Sequence, residues 1–287
     1  MAAGTITTTT AAGFNPQIWS LDVVEDYLNN TVFEPLVDRS FQELARAGHG
    51  DTIEVPTITS ANMGMQNITQ GSDLVMAVQE TSTTPTAIVV QTYKGLMLQF
   101  NDIVLVQSMP SLRKNYTNLL GKQMAITIDS AVAALVASVS QTVGTDNVDL
   151  TDDNLLRSEQ YLYDANCPDD DWSLVVSPAQ MQAFRKVDKY VNSLYKGAVG
   201  VLVGSKGKGY VGPLYNCGVY QSTNLTAGVA GHENVMFQKK WVALVIQKGP
   251  VLESWRNVTK ACDEVTIRAI YGVKQMRATS AVRAKGL

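Results

Sequence analysis

The sequence has few of the residues on which metal sites and disulfide frameworks depend. Its 287 residues include three cysteines and two histidines. Cys167, Cys217 and Cys262 are far apart and form no Cys-x-x-Cys pair, which excludes the patterns of a disulfide framework or a zinc site. His49 and His232 are too few to supply the usual ligand set of a catalytic zinc ion. We therefore expect no metal, no cofactor and no catalytic residues.

Charge and long apolar runs are also scarce. Charged residues make up 17% of the chain and the net charge is -3, whereas a general nucleic-acid binder needs a basic face. No stretch comes near the run of about eighteen apolar residues that indicates a transmembrane helix, and no basic segment precedes a long apolar one near the N-terminus. The composition predicts a globular protein made in the cytoplasm, with no membrane partner and a surface partly covered by other partners.

One short stretch combines a histidine with a carboxylate. His49 lies two residues before Asp51, where a helical pattern gives way to a strand pattern. Gly48 and Gly50 have a conformational reason to be in such a turn. No Gly-x-Ser-x-Gly nucleophile motif is present. We interpret the stretch as a joint between two elements and not as a catalytic pair.

Three further candidate sites also favour a structural interpretation. His232 is followed by Glu233 without the spacing of a metalloprotease motif, which predicts a surface loop. The glycine- and lysine-rich residues 196–212 lack the spacing of a phosphate-binding P-loop, and we expect a loop placed where subunits meet. Asp169, Asp170 and Asp171 lack the spacing of an EF-hand and predict a solvated turn.

Periodicity predicts helices and then strands in the first third of the chain. Helical spacing covers residues 20–30, where Val24 and Leu28 share a face, and residues 34–48, where Val37, Phe41 and Leu44 share a stripe. From Asp51 the period changes to two, with Ile53 and Val55 alternating with polar residues. The polar residues 57–86 then predict an extended hairpin, because strand-like residues follow and return the chain.

The rest of the chain predicts an α+β fold. A proline-free run over residues 110–141 predicts one long helix, with apolar residues at spacings of three and four. Thr151 and Ser177 are predicted N-caps, the second followed by a helix over residues 178–195. Residues 212–222 predict one strand. The last third predicts several strands, and alternation places four residues on one face: Val265, Ile267, Ala269 and Tyr271.

Four stretches in this order resemble the major capsid proteins of tailed bacteriophages, whose HK97-like fold is named after phage Hong Kong 97. They are FNPQIWSLDVVEDYLNN, GDTIEVPTI, MPSLRKNYTNLLGKQMAITIDSAVAALV and the final strands that begin ENVMFQKKWVALVIQKGPVLESW. The resemblance implies an N-terminal arm with helices over residues 1–50 and an extension loop, a long β-hairpin, over residues 51–104. It implies a peripheral domain over residues 105–148 and 235–287, which contains the long spine helix, and an axial domain over residues 149–234.

The resemblance also implies a function. Copies of the chain are expected to form hexamers and pentamers, and these form the icosahedral head of a virion around double-stranded DNA. The partners are then a portal protein and, where the virus uses them, scaffold or decoration proteins. Some members crosslink a lysine to an asparagine between subunits; Lys94, Asn62 and Asn67 lie on the corresponding segment, and we expect no crosslink. An encapsulin-type nanocompartment shell is an alternative, and an unrecognised hydrolase-type enzyme a remote one.

Overall fold

The computed structural model describes residues 31–47, 50–58, 83–103, 112–192, 209–225 and 231–286. The helices are α1 Gln42–Ala47, α2 Leu112–Ala133, α3 Asp152–Asp164, α4 Pro178–Arg185 and α5 Asp188–Val191. The strands are β1 Thr52–Ile58, β2 Thr83–Val89, β3 Thr92–Asn101, β4 Thr142–Gly144, β5 Trp172–Val176, β6 Tyr210–Leu214, β7 Cys217–Gln221, β8 His232–Gln238, β9 Val242–Asn257, β10 Cys262–Gln275 and β11 Ala281–Gly286.

The strands form three sheets. β1 and β2 pair antiparallel as a separate two-stranded hairpin. β3, β10 and β9 form an antiparallel sheet in that order, with β10 at the centre. The third sheet has the order β4-β11-β8-β5-β7-β6 and is mixed, because β4 with β11 and β5 with β7 run parallel. The chain is therefore α+β, as predicted.

The six-stranded sheet separates two hydrophobic cores. Along β8, Val235 and Phe237 belong to the first core while Met236 belongs to the second, because successive side chains in a strand point to opposite faces. The first core packs α2 against this sheet and against the sheet of β3, β10 and β9. The second core lies under α3, α4 and α5. Each sheet face is thus buried by its own set of helices.

The long predicted helix is α2 followed by a 3-10 turn over Ala134–Ser138. Leu120, Met124 and Ile128 are buried in the first core, as the spacing predicted. By length and composition, Tyr116–Ser138 meets the requirements of a membrane-spanning helix, with a mean hydropathy of 1.4. Half of that window is buried inside the fold. Because a core helix meets the same two requirements, this is weak evidence of a membrane span.

The predicted helix caps are confirmed. The Thr151 side chain accepts a hydrogen bond from the Asn154 backbone N–H at 3.4 Å. The Ser177 side chain accepts one from the Gln180 N–H at 3.1 Å, and Pro178 occupies the first turn of α4. Each cap provides an acceptor for a backbone donor that has no partner within its helix.

The helix predicted over residues 34–48 is mostly wrong, since only Gln42–Ala47 is helical. Asp38 instead pairs with the start of β9: its N–H donates to the Val242 carbonyl at 3.0 Å, and its own carbonyl accepts from Leu244 at 2.9 Å. Leu44, predicted to share the buried stripe, is 62% exposed, whereas Ala45 is buried. Pairing with a distant strand has overridden the local helical pattern.

Two other predicted elements are divided in the structure. Residues 212–222 do not form one strand, because β6 and β7 form a hairpin around Tyr215, whose φ is 51°. The helix predicted over residues 178–195 breaks between α4 and α5, where Val187 is extended. Phe184 and Tyr190 are both fully buried, with their ring centroids 5.8 Å apart. Six residues apart, they would lie on different sides of a continuous helix, and the break brings both into the second core.

Candidate functional site

The predicted joint at Asp51 closes the base of the hairpin formed by β1 and β2. The Asp51 carboxylate accepts hydrogen bonds from Gln91 Nε2 at 2.6 Å and from Thr52 Oγ1 at 3.1 Å. Its backbone carbonyl accepts from the Val90 N–H at 2.6 Å. The bond from Gln91 is the main cause of a lowered pKa for Asp51. Asp51 therefore has a structural role, and His49 lies outside the described residues.

The base of the hairpin is also held by packing. Ile88 and Val90 are buried together with Ala243 and Val245 of β9. Gly272 of β10 lies so close that a Cβ atom there would be 2.5 Å from the Val89 carbonyl oxygen. Only a glycine permits this approach of two backbones. The two strands are in register from Thr52 opposite Val89 to Ile58 opposite Thr83, and residues 59–82 lie outside the described part of the chain.

A second surface is the face of the β3–β10–β9 sheet that points away from α2. We call it the outer face, and it exposes Tyr93, Met97 and Trp255 by 58%, 47% and 43%. Strand pairing places Met97 opposite Thr266, and Trp255 opposite Glu264, on this same face. The outer face thus presents large aromatic and apolar groups that the described residues leave uncovered.

Charged groups lie between these apolar side chains. Arg268 forms an ion pair with Glu253 and donates to the Tyr93 hydroxyl at 3.3 Å. It passes over Gly95, where a Cβ atom would be 3.0 Å from Arg268 Cγ. The buried Glu264 carboxylate accepts from Gln99 at 2.8 Å. The outer face therefore presents tyrosine, tryptophan, methionine and arginine side chains, which are residue types enriched in protein interfaces.

The third surface is the end of the same sheet, which we call the sheet tip: Asp102, Ile103, Arg256, Val258 and Asp263. Arg256 donates to both oxygens of Asp102 and also contacts Asp263 at 3.2 Å. Hydrogen bonding from Arg256 lowers the pKa of Asp102. Ile103 and Val258 are 64% and 84% exposed. The arginine joins β3, β9 and β10 beside two exposed apolar side chains.

Comparison with known proteins identifies the family of the chain that carries these surfaces. The family model described as phage capsid protein matches residues 83–284. The chain belongs to the phage capsid protein family. No curated protein sequence gives a significant match. The predicted family and the role of major capsid protein are therefore confirmed, and this capsid fold points to a structural protein.

Solved structures give the fold of this capsid protein. A structure from Mycobacterium phage Che8 is 22% identical, with a TM-score of 0.73, over 88% of this chain and 90% of that one. The capsid structure of cyanophage P-SCSP1u is 16% identical, with a TM-score of 0.68, over 90% and 88%. A virus-like particle from Pyrococcus furiosus is 10% identical, with a TM-score of 0.58, over 94% and 98%. The predicted HK97-like fold is confirmed.

The remaining candidate sites of the capsid subunit have structural partners. Glu233 forms an ion pair with Arg283, so the carboxylate beside His232 is already occupied. His232 begins strand β8 and is half-buried, so the predicted surface loop is wrong. In the part of the chain that the structure describes, no group of three or more histidine, cysteine or acidic residues could hold a metal ion. The three cysteines are free and buried.

The acidic turn and the glycine-rich loop are described to different extents. Asp170 and Asp171 line a cavity of about 330 Å³ together with Lys239 and Lys240. Asp171 Oδ2 lies 3.8 Å from Lys239 Nζ, and both side chains are largely exposed, as expected of a solvated turn. Of the loop predicted over residues 196–212, which we expected to lie where subunits meet, residues 196–208 lie outside the described part of the chain.

A cluster around Asp152 was missed at the level of sequence. Asp152 begins α3 and accepts hydrogen bonds from Lys189 Nζ at 2.5 Å and from the hydroxyls of Tyr190 and Tyr215. Burial opposes ionisation, but these three donors outweigh it and lower the pKa of Asp152. The cluster joins α3, α5 and the β6–β7 turn. The only sequence signal was the acidic first turn of α3, which has a sufficient explanation in the helix dipole.

Asp129 is the second group that was missed. It lies on α2 and is fully buried, and its carboxylate accepts from the Val32 N–H at 3.1 Å and from Asn224 Nδ2 at 3.2 Å. Burial is the main cause that raises its pKa to about 6, against the effect of these hydrogen bonds. Asp129 joins three segments distant in sequence. The sign of it in the sequence was that Asp129 is the single charged residue within residues 124–136.

Proposed function

We propose that the subunit assembles into hexamers and pentamers, which form the icosahedral head of a tailed phage around double-stranded DNA. The observation that carries the proposal is the β1–β2 hairpin, tied at its base by Asp51, Gln91 and Gly272. A two-stranded hairpin is marginally stable alone in water and gains order by adding to another chain. We therefore assign residues 51–104 as the extension loop that lies over a neighbouring subunit.

The domain division is part of the proposal. The first core supports a peripheral domain built from residues 105–148 and 235–287, and the second supports an axial domain built from residues 149–234. The six-stranded sheet joins strands from both sides of these boundaries, since β4 pairs with β11, β11 with β8, and β8 with β5. This pairing favours placing those three strands in the axial domain. We assign residues 1–50 to the N-terminal arm.

The outer face and the sheet tip suit contacts between copies. Trp255 and Tyr93 on the outer face, and Val258 at the sheet tip, are large and exposed on each subunit. Each copy offers its hairpin to a neighbour and receives another, and such heterologous contacts close into rings when the rotation fits. The net charge of -3 suits an inner wall that confines DNA without strong binding.

The proposal extends to the other partners and to the location. The subunit belongs to the virion, is made in the host cytoplasm, and meets a portal protein and any scaffold or decoration protein the virus uses. We assign it no catalytic activity and no covalent crosslink. Lys94 lies exposed on β3, opposite Ala269, while Asn62 and Asn67 lie outside the described residues. Denaturing gels of particles should show one band near 31.1 kDa, and a covalent ladder would contradict this part.

An encapsulin-type shell is the second candidate, and a shell-like relative favours it. The virus-like particle from Pyrococcus furiosus covers nearly all of this chain, but with a lower identity and TM-score than the structure from Mycobacterium phage Che8. The two kinds of particle differ in what they enclose. Nucleic acid within native particles would support the phage head, and protein cargo without nucleic acid would support the nanocompartment.

The test is assembly with and without the extension loop. Ile58 pairs with Thr83, so residues 59–82 can be replaced by Asn-Gly, which favours a two-residue hairpin turn and keeps both strands. Negative-stain microscopy should show shells or rings for the wild type and for the control His49→Ala. The shortened variant should keep its circular dichroism spectrum and form no shells. Shells from the shortened variant, or a wild type that stays monomeric when concentrated, would overturn the proposal.

A further inference from the structure

β3 is the end strand of its sheet, and its free edge is long. It has ten residues, Thr92–Asn101, with β10 on one side. The Asp102 N–H donates to the Ala261 carbonyl at 3.3 Å, which fixes the alternation of bonds along this antiparallel pair. The residues whose N–H and C=O groups point away from β10 are Tyr93, Gly95, Met97, Gln99 and Asn101. No strand that the structure describes pairs with them, so this edge is an open ladder.

The side chains of β3 are exposed as well. Along the strand only Leu98 and Phe100 are shielded from solvent. The large apolar side chains Tyr93, Leu96 and Met97 are 58%, 42% and 47% exposed. Unpaired backbone groups beside exposed apolar side chains form a template for pairing with another chain, and native proteins usually protect such edges. An edge left open in this way therefore predicts a partner.

The other edge strands are protected by prolines or by their short length. Pro56 of β1 and Pro85 of β2 lie directly opposite each other, each with its backbone nitrogen pointing away from the other strand. β6 contains Pro213, β9 contains Pro250, and β4 has three residues. A proline has no N–H to donate, so it interrupts the ladder that an added strand would complete. Among the described strands, β3 is the long edge without a proline.

The edge of β3 is complementary to a second copy of itself. When Leu96 lies opposite the partner's Leu96 in an antiparallel pair, Gly95 lies opposite Met97, and Lys94 lies opposite Leu98. Lys94 is the single charged residue of β3. The two lysines are then four residues apart along the strands, about 14 Å. This exceeds the screening length of about 8 Å at physiological salt, so no like charges oppose the pairing.

We propose that β3 pairs antiparallel with β3 of a second copy across a two-fold axis, centred on Leu96. The pairing joins the two β3–β10–β9 sheets into one sheet across two subunits and covers Leu96 and Met97. Such a contact is isologous, because both copies use the same surface. The inference rests on the proposed shell assembly, since it joins copies of the subunit, and it names one surface by which they meet.

Cysteine oxidation of assembled full-length protein tests the contact. In this pairing Leu96 and the partner's Leu96 form a non-hydrogen-bonded pair, whose Cα atoms are about 4.5 Å apart, a distance that suits a disulfide. After mild oxidation, Leu96→Cys should give a band at twice the subunit mass of 31.1 kDa on non-reducing denaturing gels. The native cysteines are buried, which restricts oxidation to the introduced residue. Leu156→Cys on α3 is the matched control and should stay monomeric, since Leu156 is 41% exposed.

Negative-stain microscopy of the same samples separates this contact from shell assembly. Shells in which Leu96→Cys stays monomeric, or forms no more dimer than Leu156→Cys, would overturn the β3 contact and leave the proposed function intact. Disulfide dimers without any shells would support the contact and overturn the proposed function.

Charge substitution at Leu96 gives a second measurement. Leu96→Lys and Leu96→Glu each place like charges directly opposite one another, which destabilises a cross-strand pair. Each variant alone should therefore assemble less than the wild type in light scattering. An equal mixture places lysine opposite glutamate and should assemble more than either variant alone. A mixture that assembles no better, or single variants that assemble as the wild type does, would overturn the pairing at Leu96.

Discussion

The Gln91 side chain donates a hydrogen bond to the Asp51 carboxylate at 2.6 Å, although the two residues are forty positions apart in the chain. Between them the chain runs out along β1 and back along β2. The contact closes this excursion beside the Val90 N–H bond to the Asp51 carbonyl. Asp51, which follows His49 closely enough in the sequence to suggest a catalytic pair, therefore anchors the base of the β1–β2 hairpin.

Replacing Gln91 by alanine should loosen that anchor. The Gln91 bond is the main cause of the lowered pKa of Asp51, so Gln91→Ala should raise this pKa toward its ordinary value. A lowered pKa stabilises the folded state above the unfolded pKa, and this contribution is lost as the pH falls through the folded pKa. Carbon-13 NMR titration of Asp51 measures the change, and amide exchange of Val90 should become faster. Gln160→Ala, at an exposed position on α3, is the control and should alter neither.

Gly272→Ala should separate the hairpin from the sheet beneath it. The added Cβ would be 2.5 Å from the Val89 carbonyl oxygen, which as backbone cannot rotate away. We expect lower thermal stability and fewer assembled shells by light scattering. Gly249→Ala on β9 is the matched control, because nothing lies within 4 Å of the Cβ it adds. Equal stability and assembly for the two variants would show that the close approach at Gly272 has no importance.

Helix α3 offers a matched pair for the second core. Leu162 is fully buried and Leu156 is 41% exposed. Leu162→Ala removes buried methyl groups and leaves a cavity, which should lower the free energy of unfolding by about 2–5 kcal/mol. Leu156→Ala should change it by no more than about 0.5 kcal/mol. Denaturant unfolding of the unassembled subunit measures both, and a comparable loss in the two variants would contradict the assigned burial.

The sequence allowed prediction where the signal was local. Alternation correctly placed Val265 and Ile267 of β10 in the core, and Thr151 and Ser177 were recognised as caps because their bonds reach three residues along the chain. The α+β class and the order of elements followed from such signals. Local periodicity therefore predicted most of the scaffold that carries the hairpin, the outer face and the sheet tip.

Several of the failures have one physical cause, which is pairing between distant segments. Asp38 is not helical as predicted, because its backbone pairs with the start of β9. The Asp152 cluster reaches Tyr215, 63 residues away, and Asp129 reaches Val32, 97 residues away. A pattern read in a window of about 11–18 residues contains no information on such partners. The sequence therefore shows which polar residues are present, but it does not show which of them connect distant segments.

Asp129→Asn should remove the pH dependence that Asp129 gives to the stability of the unassembled subunit. Burial raises the pKa of Asp129 from 3.8 to about 6, so the folded state holds this proton more tightly than the unfolded state. A raised pKa in an acid means that stability is greatest below pH 4 and falls as the pH rises toward 6. About two pH units correspond to roughly 3 kcal/mol, lost between pH 4 and neutrality. Asparagine does not ionise in this range, so the variant should not lose this part of the stability as the pH rises.

The difference in stability between the wild type and Asp129→Asn should therefore change with pH in one direction. Denaturant unfolding at intervals from pH 4 to pH 7 should show the wild type losing stability relative to Asp129→Asn as the pH rises. Gln160→Ala, at an exposed position on α3, changes no titratable group and should keep a constant difference from the wild type. A difference between wild type and Asp129→Asn that stays constant, or that grows in favour of the wild type, would show that Asp129 is not held as a buried acid between α2, Val32 and Asn224.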